Sequence, residues 1–293
     1  MPETAAVLPA SPLSGPVDSM VEVAAGVRLH VRCWCPSEQS PGQPSARPYL
    51  LVHGLASNAR TWDGVAARLA AAGHPAVAVD LRGHGESDQP ADGYDTRTAA
   101  ADLATLCDVL RLAGPVLAGQ SWGGNVVLEL AASHPGRASA LALLDGGWIH
   151  LGDIFATWEE CWAALAPPRF AGLTRADIRH RLLASHPDWP TASIDGTLAN
   201  LTSLPDGSIR ARLTRDRHAD ILRSLWAHRP RELYRLVDIP TLLLPAGASG
   251  SSPLVAEAAA RLPRAEVRWY DGADHDLHAQ HPDRVAADLE SLP

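Results

Sequence analysis

The sequence predicts an α/β fold: a mainly parallel sheet with helices on both faces. Two observations predict it. Short apolar runs of strand length alternate along the chain with segments of helical spacing, and the runs end in glycine-containing turns. A third observation concerns organisation. The alternation breaks once, for a long helical stretch punctuated by proline, so an insertion interrupts the sheet.

Residues 1–19 are rich in Pro, Ser and Ala, lack a basic start and hold no continuous apolar run, which predicts a disordered tail and no secretory signal. Residues 20–35 alternate as two short strands would, and 36–48 form a polar, proline-rich connection. Residues 49–52, 76–80, 116–119 and 140–145 read as buried strands. Between them, 61–72, 98–112 and 125–133 carry Leu, Val and Ala at helical spacing. From 147 to 237 helical stretches follow one another at 154–165, 175–185, 209–212 and 218–226, with no strand evident. The strand pattern resumes at 240–244, then a helix at 253–262, a strand at 267–270 and a last helix at 282–292. The expected organisation is a core of residues 20–146 and 238–293 with a helical cap of 147–237.

A chain of 293 residues can bury most of its surface in one such domain without a metal or disulfide. Its 46% hydrophobic content includes no run near the ~18 to 20 apolar residues of a membrane span, so a soluble protein with no membrane partner is expected. All 25 basic residues are arginine. Without lysine there is no Schiff base, no pyridoxal phosphate anchor and no P-loop. A net charge of −8 without a basic run argues against nucleic acid. Cys33, Cys35, Cys107 and Cys161 lack redox or zinc spacing, so reduced thiols in a cytoplasmic protein are the expectation. No cofactor or metal is expected, and the sequence does not specify an oligomeric state.

Chemistry concentrates in the turns that follow the strands. Gly119-Gln120-Ser121-Trp122-Gly123 reads as G-x-S-x-G between a strand and a helix, the arrangement that lifts a serine onto a strained tip. His53-Gly54-Leu55-Ala56 follows one strand, and Asp80-Leu81-Arg82-Gly83-His84-Gly85-Glu86-Ser87 follows another. Asp271-Gly272-Ala273-Asp274-His275-Asp276 follows the last. In this order and spacing, over roughly residues 21–292, the chain resembles the α/β-hydrolase family. The resemblance implies an α/β-hydrolase fold with an inserted helical cap over the site. It also implies Ser121 as nucleophile and His275, in G-x-x-H, as its base; His278 and His281 are the nearby rivals. The backbone N–H groups of Leu55 and Trp122 would form the oxyanion hole, with His53 and the Arg82–Gly85 turn in supporting structural roles.

The acid departs from the family pattern. After the seventh strand a G-x-x-D is usual, yet this chain reads Gly247-Ala248-Ser249-Gly250, and no Asp or Glu occurs between Pro240 and Ala256. Asp145, ending the sixth strand, is the expected substitute, as in family members such as the lactone hydrolases that open zearalenone. The competing reading makes Asp145 a structural residue at the entrance to the cap, and Asp271, Asp274 and Asp276 lie close to His275 in sequence but point away. Trp148, Trp158, Trp162, Trp189 and Trp226 fall in the cap, either as walls of an apolar pocket or as the cap's own core. The function expected is hydrolysis of a bulky, hydrophobic carboxylic ester or lactone. C–C bond, amide or perhydrolytic chemistry on the same scaffold, or a non-catalytic ligand receptor, are the alternatives.

Overall fold

Strand burial follows from which faces are covered. A computed structural model of the chain describes residues 15–36 and 46–293; the first fourteen residues of the expected tail, and most of the proline-rich connection, lie outside them. Ten strands are described: β1 (Val17–Ala24), β2 (Val27–Trp34), β3 (Tyr49–Val52), β4 (Ala76–Val79), β5 (Val116–Gln120), β6 (Ala140–Leu144), β7 (Leu201–Ser203), β8 (Ile209–Ala211), β9 (Thr241–Leu244) and β10 (Ala265–Val267). Eight of them form one sheet in the order β1-β2-β4-β3-β5-β6-β9-β10, antiparallel at β1, β2 and β4 and parallel from β4 to β10. The central strands are buried at every position, as parallel strands covered on both faces must be.

Alternate side chains feed two cores. Leu50 and Val52 point to one with Leu117, Leu141 and Leu143, while Tyr49 and Leu51 point to the other with Val116, Ala118 and Leu144. The first core is covered by α2 (Thr96–Val109) and α3 (Trp122–Ser133), the second by α1 (Asp63–Ala71) and the C-terminal helix (Pro282–Glu290). The strand order reverses between β3 and β5, since β4 lies on one side of β3 and β5 on the other. Such a reversal opens a crevice at the carboxyl ends of the two strands, and the turns carrying Leu55 and Ser121 sit there.

The expected tail is shorter than the composition implied. Val17 already pairs with Cys33, because Asp18 and Met20 face outward on an edge strand while Val21 and Val23 face in. The stretch 147–237 is also not purely helical. Of residues 209–212, expected in a helix, Ile209–Ala211 form β8, which pairs antiparallel with β7. Pro205-Asp206-Gly207 supplies the turn between them: Gly207 takes φ 83°, and Leu204 N donates to Ser208 O at 2.8 Å. The strand expected at 267–270 is Ala265–Val267, and the chain rejoins the sheet at Tyr270 through a single bridge to Ala246.

The remainder of this inserted segment is helical, with principal helices at Trp158–Leu165, Arg175–Ser185, Thr191–Leu198 and Arg215–Ala227. It has its own small core of Trp189, Ile194, Leu198, Leu201 and Ile209. Asn58, beside the turn after β3, fastens it by donating to Gly196 O at 2.9 Å and to Asn200 Oδ1 at 2.6 Å. Among the described residues no helix is long and apolar enough to cross a membrane.

The Arg82–Gly85 turn is tied to α2 by a bidentate ion pair. Arg82 Nε and Nη2 each lie 2.7 Å from an oxygen of Asp102, and both side chains are about 5% exposed. Removing one partner strands a buried charge. We therefore expect Asp102→Ala to lose about 3–5 kcal/mol of stability in urea unfolding. A loss under about 0.5 kcal/mol, typical of surface changes, would show the pair to be dispensable.

Candidate active site

Ser121 sits at φ 54° and ψ −123°, a conformation that costs a non-glycine residue on the order of 1–3 kcal/mol. Its surroundings leave no alternative. Ser121 N donates to Leu144 O at 2.9 Å, and Gly124 N donates to Ser121 O at 2.9 Å. A Cβ at Gly123 would stand 2.5 Å from both Val52 O and His53 O, and one at Gly146 would stand 2.1 Å from Ser121 O. The turns after β3, β5 and β6 thus meet backbone to backbone around the serine.

Asp145, directly after β6, also has positive φ, 41°. Its N donates to Leu244 O at 2.9 Å and its Oδ1 accepts from Ala246 N at 3.2 Å, so the turn after β9 holds the carboxylate that it does not itself supply. Its Oδ2 lies 2.5 Å from His275 Nδ1. This bond puts the imidazole proton on Nδ1 and leaves Nε2 a free lone pair. His275 O accepts from Gln120 Nε2 at 3.1 Å, which ties the histidine turn to the residue before Ser121. Among the described residues no hydrogen bond joins the Ser121 hydroxyl to His275; in free enzymes such bonds commonly close only with substrate. Burial disfavours the His275 imidazolium, but the Asp145 hydrogen bond and the charges of Asp276 and Asp145 outweigh it and raise its pKa above the ordinary histidine value.

The rivals lie elsewhere. His278 is fully buried, bonds Thr61 Oγ1 at 3.1 Å, packs on Trp62, and is pushed by burial down to about 3. His281 packs near the Tyr270 ring. Asp271 accepts from Ser249 N, and Asp274 accepts from His186 Nδ1 and Trp189 Nε1, each at 2.8 Å. Asp276 is the nearest second carboxylate to His275 by charge, and burial raises its pKa.

The second donor turn is built by two neutral histidines. Gly54 packs so close that a Cβ there would stand 2.8 Å from Ser121 Cβ, which sets Leu55 beside the nucleophile. His53 Nδ1–H donates to Gly54 O at 2.7 Å, and its Nε2 accepts from Leu81 N at 3.0 Å. His84 Nδ1–H donates to Arg82 O at 3.0 Å, and its Nε2 accepts from Ala56 N at 3.2 Å, fixing Ala56 at φ 60°. Burial drives His84 to about 3 and lowers His53, so neither brings a charge that would compete for the oxyanion. Burial works to raise the Asp80 pKa, but hydrogen bonds from His30 Nδ1 and from the N–H groups of Ala59 and Glu86 bring it down to about 2. Among the described residues no protein acceptor takes the N–H of Leu55 or of Trp122, the first residue of α3.

A cavity of about 380 Å³ lies between Ala56, Ser57 and His84, next in the chain to Leu55, and the inserted segment; Ser121 and His275 are not among the residues that line it. None of the five cap tryptophans lines it. Trp148 is buried in the main core. Trp158 stacks on Trp162 with centroids 6.1 Å apart and meets Trp226 edge-on at 6.2 Å, while Arg223 and Arg215 cover their faces. Trp189 bonds Asp274. Of the two readings of this set, packing describes the positions. The Trp122 ring is likewise buried, donating to Thr96 Oγ1 at 3.1 Å. Sequence reasoning missed the residues that do line the cavity, such as Arg169, Phe170 and Arg181, which no motif marks. It also missed Asn125, whose Oδ1 accepts from Gly147 N at 2.9 Å and whose Nδ2 donates to Ile149 O at 2.7 Å, fixing the chain after Asp145. The signal in the sequence was one polar residue, Asn125, heading the apolar run after the elbow; the structure buries it fully. Among the described residues no group of three or more His, Cys, Asp or Glu could hold a metal ion.

Residues 48–282 match the family described as the alpha/beta hydrolase fold. The chain belongs to that family. It is 29% identical over 262 residues to a non-heme haloperoxidase of Rhodococcus erythropolis, covering 85% of this chain and 92% of that one. It is 34% identical over 125 residues to a non-heme chloroperoxidase of Streptomyces lividans, where it spans only 43% of the relative's length. Among solved structures it resembles E-2-(acetamidomethylene)succinate hydrolase with a TM-score of 0.77 and 23% identity, covering 94% of this chain and 98% of the other, a likeness of fold.

His275 must be neutral to accept a proton, so activity falls as pH drops through its pKa. With that pKa raised, the acid limb of kcat/KM is expected above pH ~6.5. A profile flat to roughly pH 4.5, far below any free histidine, would exclude His275 as the base.

Proposed function

We propose that the protein is a serine hydrolase of carboxylic esters or lactones. The observation that carries the reading is the 2.5 Å contact of Asp145 with His275 beside the strained Ser121. Ser121 Oγ attacks the carbonyl carbon while its proton passes to His275 Nε2, and Asp145 stabilises the imidazolium through Nδ1–H. The carbonyl oxygen, now negative, takes the N–H groups of Leu55 and Trp122. Collapse breaks the C–O bond to the alcohol, which leaves with the proton from Nε2. Water then repeats the sequence on the acyl-enzyme and releases the acid. The inserted segment serves as a lid that sets substrate choice from above the Leu55 turn.

A second reading is perhydrolysis, favoured by the likeness to a non-heme haloperoxidase over 92% of its length. Hydrogen peroxide in place of water would release a peracid from the same acyl-enzyme. Peroxide- and carboxylate-dependent halogenation of a dye separates the two.

A fluorophosphonate probe should label the protein once, at Ser121, with labelling and p-nitrophenyl ester turnover both abolished in Ser121→Ala. Labelling that persists in the variant, or that never occurs in a protein that turns esters over, would contradict the serine mechanism.

A further inference from the structure

The charge of the cavity is opposite to that of the molecule. The chain carries 33 acidic and 25 basic residues, yet the cavity is lined by Arg169, Arg181 and Arg212 and by no aspartate or glutamate. Arg212 is spent within the protein, since its guanidinium bonds Glu86, Ala199 O and Gly85 O. Arg169 and Arg181 have no carboxylate within ion-pair distance among the described residues, although both are exposed where the cavity meets solvent. Asp177, one turn before Arg181, feels its charge but gives its carboxylate to the Thr174 cap. The two histidines of the lining are kept neutral by burial, His84 at about 3 and His218 below its ordinary value, so the arginines alone set the sign. Between the Leu55 turn and these arginines the wall is apolar, with Phe170, Leu173, Ile178 and Leu213.

We infer that the substrate is an amphipathic anion, an ester or lactone whose apolar body fills the cavity and whose carboxylate, remote from the scissile bond, pairs with Arg169 and Arg181. This rests on the ester-hydrolase reading and narrows it from a wholly hydrophobic substrate. A guanidinium suits the task because its planar fork of donors matches a carboxylate in two bonds. Arginines with no internal partner lose no ion pair when a ligand arrives.

The test compares two p-nitrophenyl esters of equal shape, the monoester of adipic acid and its terminal primary amide. A second pair carries the carboxylate or amide on the alcohol side. In one of the pairs kcat/KM should favour the carboxylate by on the order of tenfold at low salt, through KM, and the preference should shrink as salt screens it. The Arg169→Gln/Arg181→Gln double variant should lose the preference, the carboxylate-ended ester falling to the kcat/KM of the amide-ended one. The same esters titrated calorimetrically into Ser121→Ala and into Ser121→Ala/Arg169→Gln/Arg181→Gln read binding without turnover. Equal affinity for carboxylate and amide on both sides, or a preference that survives the double substitution, would overturn the inference and leave the hydrolase reading intact. Failure of the wild type to cleave any ester would sink the hydrolase reading, while the Ser121→Ala titration would still decide the arginines.

Discussion

The bond between Asp145 and His275 is the constraint on which the rest of the site depends. It joins the end of β6 to the turn after β10, across the turn after β9, whose Ala246 N–H grips the other carboxylate oxygen. In the proposed mechanism it fixes the imidazole tautomer and contributes to its raised pKa, as a base for Ser121 requires. Its geometry requires Asp145 to adopt positive φ, which the adjoining backbone enforces through Leu244 O and the Gly146 contact with Ser121. Ser121 and Asp145 therefore share one backbone junction, and strain at one position is held by packing at the other.

Around that junction, burial is used to remove charge. His53 and His84 act as neutral brackets, each donating with one ring nitrogen and accepting with the other, so they shape the Leu55 turn without adding a cation beside it. Asp80 anchors the same region with its oxygens saturated by His30, Ala59 and Glu86. His275 differs from His53 and His84 in bonding a carboxylate, Asp145, and in having its pKa raised instead of lowered.

The sheet was legible because its strands are covered on both faces and therefore read as unbroken apolar runs, and the elbow because close backbone approach admits only glycine at Gly123. Set against the pattern of the resembled family, the missing acid at Gly250 pointed to Asp145, whose carboxylate accepts from Ala246 N in the turn after β9. The inserted segment was much less legible. Its β7–β8 hairpin is three residues a side and is marked only by Pro205-Asp206-Gly207, and its Trp158, Trp162 and Trp226 pack on one another. Arg169 and Arg181 acquire their meaning from a cavity assembled by residues far apart in the chain, which no local pattern encodes.

Measuring kcat for Asp145→Asn beside Asp276→Asn, with both confirmed folded, tests the central claim most directly. Among the described residues Asp276 is the other carboxylate whose charge raises the His275 pKa. If Asp145 orients the imidazole, its amide variant loses on the order of 10² to 10⁴ in kcat, because the amide favours the wrong tautomer, while Asp276→Asn stays within a few-fold of wild type. Near wild-type turnover in Asp145→Asn together with collapse in Asp276→Asn would contradict the account and move the acid to the histidine turn.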